Sequence, residues 1–69
     1  MNWTQKQKEL LEIAKKKGFI THSDLLITYT SSISRKANLD RFLMLKIFNP
    51  SPLGDSFKFN PEALEELEK

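Results

Sequence analysis

The sequence predicts a single domain of the α+β class, built from a three-helix core, a β-hairpin and a short C-terminal helix. Three observations predict it: two successive helix-capping motifs, two alternating apolar segments around a loop rich in proline and glycine, and an Asn-Pro step before a last amphipathic segment. The 69 residues contain no internal repeat and no linker. Residues 1–69 are therefore interpreted as one domain.

The first helix is predicted over residues 5–17. Thr4 and Gln7 form a Thr-x-x-Gln capping box, in which each side chain accepts a hydrogen bond from the backbone N–H of the other residue. Residues 15–17 are lysines at the negative end of the helix dipole. Gly18 supplies the left-handed residue that ends the helix.

The second helix is predicted over about residues 22–29, after the short extended step Phe19-Ile20. Thr21 is its N-cap, and Asp24 at the third helical position gives a shorter version of the capping box. The segment 30–32 interrupts the apolar pattern with residues that favour turns. Two helices around a short polar turn follow the helix-turn-helix pattern.

The third helix is predicted over residues 33–44, and its start is open. Three residues are candidates for its N-cap: Ser32, Ser34 and Asn38. If the helix starts early, Ile33 and Ala37 are expected to extend its contact with the core.

The hairpin and the last helix follow. Residues 45–49 and 56–59 alternate between the two faces of a strand, and the segment 49–55 is too dense in turn formers to continue either one. Asn60 as N-cap, followed by a proline, starts the helix predicted over 61–68. Leu64 and Leu67 are expected to attach that helix to the body. The predicted core consists of Leu10, Leu11, Ala14, Leu25, Leu26, Tyr29, Phe42, Leu43, Ile47, Phe57 and Phe59.

This order of elements resembles the winged helix-turn-helix family from Thr4 to Leu67. The resemblance rests on Phe19-Ile20-Thr21 before helix 2, on the serine-rich turn before Arg35 and on the Pro/Gly hairpin after helix 3. Many members have a glycine between helix 3 and the first strand of the hairpin. Here Met44-Leu45-Lys46 occupies that place, so the boundary between helix and strand is left open.

The resemblance implies a DNA-binding protein, a small transcriptional regulator that places helix 3 and the 49–55 wing on duplex DNA. Serine hydroxyls contact phosphate, arginine reads guanine and asparagine reads adenine. Arg35, Lys36 and Asn38 cannot all point the same way on one helix, so a subset is expected to reach bases. The predicted DNA-binding residues are Ser31, Ser32, Ser34, Arg35, Lys36, Asn38, Arg41, Lys46 and Lys58.

Two other interpretations stay open. A winged-helix module of a replication or transcription assembly would use an apolar wing or helix face to bind protein, and Leu53 at the tip of the wing favours that alternative. A homodimer through helix 1 or helix 4 would set two recognition helices at a fixed spacing. The basic residues of helix 3 are otherwise the solvated face of an amphipathic helix.

Composition predicts a binding protein and not an enzyme. There is no cysteine and a single histidine, His22, too few ligands for a metal site. Two glycines are too few for a phosphate-binding loop, and no carboxylate pair suggests acid–base catalysis. We expect no cofactor, no small-molecule substrate and no membrane partner. The polar first five residues favour a cytoplasmic protein.

The charge distribution is compatible with an anionic partner. Residues 1–61 contain ten Lys or Arg and five Asp or Glu, a net charge of +5, whereas residues 62–69 have a net charge of −3. A basic body with an acidic tail suits a partner met on one face, although a mixed surface charge is also ordinary.

Overall fold

The computed structural model describes residues 2–52 and 54–68, and within them the chain forms four helices and one small antiparallel sheet. The elements are α1 (Gln5–Lys17), β1 (Phe19–Thr21), α2 (His22–Thr28), α3 (Ser32–Met44), β2 (Phe48–Pro50), β3 (Ser56–Phe59) and α4 (Pro61–Glu68). This confirms the predicted α+β class. No helix in the described part of the chain is long and apolar enough to cross a membrane.

The three strands are arranged in the order β1-β3-β2, with β3 in the centre. Lys58 of β3 pairs with Phe19 on one side and with Asn49 on the other, and all three residues are exposed. The neighbouring residues of β3, Phe57 and Phe59, are buried. The sheet therefore has one solvated face and one face that packs on the helices, as the alternation of residues 56–59 predicts.

The first two helices begin as predicted. Thr4 and Gln7 exchange hydrogen bonds of 2.8 and 3.2 Å at the start of α1. Thr21 and Asp24 exchange bonds of 2.9 and 3.3 Å at the start of α2. Gly18 ends α1 with a φ of 82°, the left-handed conformation that glycine adopts without steric cost.

Asp24 also joins α2 to the end of α1. Its Oδ2 accepts a hydrogen bond of 2.6 Å from Lys17 Nζ. Burial acts to raise the pKa of Asp24, but the hydrogen bonds from Lys17 and Thr21 and the positive charge of Lys17 outweigh it. The pKa therefore lies below its ordinary value, because the fold favours the ionised carboxylate.

The core lies between the helices and the inner face of the sheet. Its members are Leu10, Leu11, Ala14, Ile20, Leu25, Tyr29, Phe42, Ile47, Phe48, Phe57, Phe59 and Leu64. Every predicted core residue is among them except Leu26 and Leu43. Leu43 is half-buried against the cluster. Leu26 is 53% exposed, so that prediction was wrong. The seven-residue α2 buries one narrow face, through Leu25 and Thr28, and Leu26 lies about 100° further round the helix.

The third helix begins earlier than predicted. Its N-cap is Ser31, whose hydroxyl accepts a hydrogen bond of 3.4 Å from Ser34 N, so the three proposed caps, Ser32, Ser34 and Asn38, were wrong. The predicted core contacts of Ile33 and Ala37 were also wrong, because both residues are exposed. A helix that starts at Ser32 and buries Phe42 turns these two positions to the opposite side.

The first hairpin strand begins at Phe48 and not at residue 45. Lys46 N donates to Leu43 O and Ile47 N donates to Phe42 O, both at 3.1 Å, which is the Schellman arrangement that closes a helix. Lys46 has a φ of 66° and so occupies the left-handed position where glycine is usual. α3 therefore ends at its C-cap, Leu45, and residues 45–47 form a turn before β2.

The hairpin loop is correspondingly shorter, because Asn49 and Pro50 belong to β2. Ser51 N donates to Ser56 O, and Gly54 N donates to Ser51 O, both at 3.0 Å. Leu53, which the sequence placed at the tip, lies outside the described residues. Asn60 precedes α4, and its described hydrogen bonds are made to Ile47 O and Lys46 O.

Candidate nucleic-acid interface

Arg35 supports the turn between α2 and α3. Its Nη1 donates to Tyr29 O at 2.9 Å and to Thr30 O at 3.2 Å. Tyr29 is the C-cap of α2, and the last turn of that helix contains no basic residue. The guanidinium therefore satisfies a carbonyl that has no partner within the helix and neutralises the negative end of the helix dipole.

Asn38 is bonded to α1. Gln7 Nε2 donates to Asn38 Oδ1 at 2.9 Å, and Asn38 Nδ2 donates to Ser34 O at 2.8 Å. Gln7 is buried, and its side-chain oxygen already accepts the bond from Thr4 N. One glutamine thus completes the cap of α1 and fixes the position of α3, and the Asn38 amide is engaged on both sides.

The predicted residues of α3 fall on two sides of the helix. Ser32, Arg35 and Lys36 line a groove of about 340 Å³ between α2 and α3. Ser31, Ser34 and Asn38 line a second depression of about 370 Å³, on the side of α1. Ser31 and Ser34 therefore lie apart from Arg35 and Lys36, although all four residues are close in sequence, and Ser32 alone of the three serines shares the groove with the basic residues.

Between these two sides lies a third surface, which we call the outer face of α3, formed by Ile33, Ala37, Asp40 and Met44. All four residues are exposed, Ile33 to 82% and Met44 to 79%. Their spacing of four, three and four residues gives one continuous stripe along the helix. Sequence reasoning missed this stripe because it expected Ile33 and Ala37 to contact the core if the helix starts early.

Two exposed cations flank the outer face. Lys36 lies on the side of α2, where it lines the groove. Arg41 is five residues further along and therefore lies about 140° away around the helix axis, on the other side of the stripe. In the described part of the chain neither of them forms an ion pair; Glu12 pairs with Lys15, and Asp24 pairs with Lys17. Asp40 is the one carboxylate on this face.

His22 connects the α2–α3 groove with the hairpin loop. Its ring lines the groove that Ser32 and Lys36 also line, and its Nε2 lies 3.4 Å from Gly54 O. The ring also meets Phe57 edge-on, with centroids 5.4 Å apart. The N-terminal half of α3 and the hairpin loop are thus brought to the same side of the molecule.

The two remaining predicted residues lie elsewhere. Lys46 is in the turn after α3, about 15 Å along the helix axis from Lys36. Lys58 is on the solvated face of the sheet, between Phe19 and Asn49. The geometry brings Ser32, Lys36 and Arg35 together and leaves these two lysines apart from them.

The described residues contain no group of three or more His, Cys, Asp or Glu side chains placed to bind a metal ion. Comparisons with protein-family models, with curated proteins and with solved structures found no match for this chain. The arrangement of α3, the groove and the hairpin loop is accordingly the basis on which a function is proposed.

Proposed function

We propose that this chain is a winged helix-turn-helix protein that binds duplex DNA, with the part of the outer face of α3 from Ile33 to Asp40 in the major groove. The order of elements supports the fold: α2 and α3 are joined by residues 29–31, and a hairpin follows α3. The loop of that hairpin, near His22, corresponds to the wing. The cellular role that we propose is transcriptional regulation.

The observation that supports DNA most directly is the distribution of charge across α3. Lys36 and Arg41 are exposed on opposite sides of a stripe that includes Ile33 and Ala37. The major groove is about 12 Å wide, has base edges at its floor and is bounded by phosphates on both strands. A helix seated there needs cations at its flanks and small or apolar groups along its centre, which is the pattern of this face.

Asp40 is the residue that fits least well, because a carboxylate repels phosphate. Asp40 follows Lys36 by four residues and lies about 40° from it around the helix axis, on the side of that lysine that faces Ile33, so it can still point toward the base edges. A carboxylate there can accept a hydrogen bond from the amino group of cytosine. Asp40 would then restrict the sequence that is bound while lowering the affinity for all other sequences.

A second candidate function is binding of a protein partner. It is favoured by the exposed aliphatic side chains on α2: Ile27 is 77% exposed and Leu26 53%. Leu26 lines the α2–α3 groove with Ser32 and Lys36, so exposed apolar surface extends from α2 to the side of α3, and such surface is typical of protein interfaces. The two functions differ in their dependence on salt.

The test is a titration of mixed-sequence duplex DNA at several salt concentrations. With Lys36 and Arg41 near phosphate, about two phosphates are neutralised, and log affinity should fall with log salt with a slope of about −1.8. Lys36→Ala and Arg41→Ala should each weaken binding to all sequences and reduce the slope by about 1.

Lys16→Ala is the matched control, since Lys16 is an exposed lysine on α1. It should leave both affinity and slope nearly unchanged. Arg35→Ala is not a suitable probe, because it removes the hydrogen bonds to the end of α2 as well as a charge. No binding to DNA at low salt, or equal losses for Lys16→Ala and Lys36→Ala, would contradict the proposal and favour a protein partner.

A further inference from the structure

The side chains best suited to reading bases by paired hydrogen bonds do not reach the outer face of α3. Arg35 and Asn38 are the residue types that bind guanine and adenine in this way. In this chain Arg35 is bonded to Tyr29 O and Thr30 O. Asn38 is bonded to Gln7 and to Ser34 O. The N-terminal half of the helix therefore meets its partner through other groups.

The groups that remain there are mainly apolar. Ile33 is 82% exposed, and Ala37, one turn further along, is also exposed. The rise between them is about 6 Å, which corresponds to about two base-pair steps of 3.4 Å. In a helix-turn-helix the N-terminal residues of the second helix contact the base edges. Ile33 and Ala37 hold that position, between the cations Lys36 and Arg41.

We propose that Ile33 and Ala37 select thymine, by packing against its 5-methyl group in the major groove. This methyl is the apolar group that the base edges present there. The inference rests on the proposed function, and it adds the feature of the DNA that the outer face recognises. The cations on either side hold the helix to the two phosphate strands, while the aliphatic pair distinguishes base pairs.

The position of Met44 gives an internal control. It lies on the same stripe and is 79% exposed, nearly the same as Ile33. It is eleven residues from Ile33, or about 16 Å along the axis, at the C-terminal end of the helix. A helix that reads bases with its first two turns leaves Met44 without a base contact, whereas a protein partner that covers the stripe would contact both ends.

The experiment compares two A·T-rich duplexes of identical sequence, one with thymine and one with deoxyuridine, which differ only in the methyl groups. Wild type should bind the thymine duplex more tightly, by about fourfold for each methyl group buried and about 15-fold for two. A third duplex, in which 5-methylcytosine replaces cytosine, restores a methyl group in a G·C context. It should bind more tightly than its unmethylated counterpart.

Two variants locate the effect. Ile33→Ala should reduce the preference for thymine over deoxyuridine to about fourfold, the contribution of the methyl group that packs on Ala37, and Met44→Ala should leave it unchanged. Both side chains are exposed, so circular dichroism melts of the variants should match wild type.

Equal affinity of wild type for the two duplexes would overturn thymine selection and leave DNA binding intact. Equal loss of DNA affinity in Ile33→Ala and Met44→Ala would also overturn it, and would indicate that the whole stripe is a contact surface. If the protein binds none of the duplexes at low salt, the proposed function itself is contradicted.

Discussion

The two halves of this domain are held together differently. Residues 4–28, from α1 to α2, are organised by contacts between neighbours in sequence, such as Thr21 with Asp24. Residues 31–50, from α3 to β2, are positioned by the aromatic contacts of Phe42, one of which is with a residue distant in sequence. Phe42 stacks on Trp3 with ring centroids 5.6 Å apart and meets Phe48 at 5.2 Å.

This difference shows where the orientation of the candidate DNA-binding helix is determined. The N-terminal cap of α3 is a single hydrogen bond of 3.4 Å from Ser34 N to the Ser31 hydroxyl, longer than any of the four that begin α1 and α2. Its rotation about its own axis is fixed by Phe42 in the core and by the bond between Gln7 and Asn38. Changes in α1 are therefore expected to alter which residues α3 presents to solvent.

The largest effect is predicted for Phe42, which is fully buried between the two halves. Phe42→Ala should destabilise the fold by about 3–5 kcal/mol, because it removes the ring and leaves a cavity among aromatic neighbours. A domain of this size has little stability in reserve, so much of the population should unfold. Urea or thermal unfolding followed by circular dichroism measures the loss in the free energy of unfolding.

The matched control for Phe42 is Ile33→Ala, on the opposite side of the same helix. Since Ile33 is exposed, its truncation should change the free energy of unfolding by no more than about 0.5 kcal/mol. Similar unfolding curves for the two variants would show that α3 is rotated differently from the arrangement described here.

The locally organised half should respond more weakly and in a way that depends on pH. Asp24→Ala removes the second part of the α2 capping box and the hydrogen bond from Lys17, and should cost about 1 kcal/mol at neutral pH. The pKa of Asp24 is lowered in the fold, so the stabilisation by its charge is present above the ordinary value of 3.8. It is lost as the pH falls through the lower, folded value.

The difference in stability between wild type and Asp24→Ala should therefore be largest near pH 6 and should shrink below pH 3.8. Asp24→Asn is the control that keeps an oxygen acceptor for the cap and removes the charge. It should lose the dependence on pH while retaining part of the capping energy. A difference that stays constant from pH 6 to pH 2 would show that the pairing with Lys17 contributes nothing.

The difference between residues 4–28 and residues 31–50 explains which features could be predicted from the sequence alone. The starts of α1 and α2 and the glycine that ends α1 could be predicted, because each signal lies within a few residues of the structure that it produces. The face of α3 could not, because an isoleucine at residue 33 reads as core until the helix start and the burial of Phe42 are known. Arg35 was likewise predicted to contact DNA. Its hydrogen bond to Tyr29 O could not be predicted, because that bond depends on the path of the turn between α2 and α3.

The α3–β2 half also contains one local feature that works against its stability, at Lys46. Its φ of 66° places a residue with a Cβ in the left-handed region, at a cost of about 1–2 kcal/mol. Lys46→Gly should remove that cost but lose about 0.4–1 kcal/mol through the greater freedom of the unfolded chain. The expected result is a gain of about 0.5–1 kcal/mol, or a rise in Tm of about 2–8 °C. Lys46→Ala is the matched control: it removes the long side chain but keeps the Cβ at the same positive φ, so it should not raise the Tm.

If both variants melt at or below the wild-type Tm, the turn after α3 stores no strain. The boundary between helix and strand would then be fixed by the burial of Ile47 and Phe48 alone.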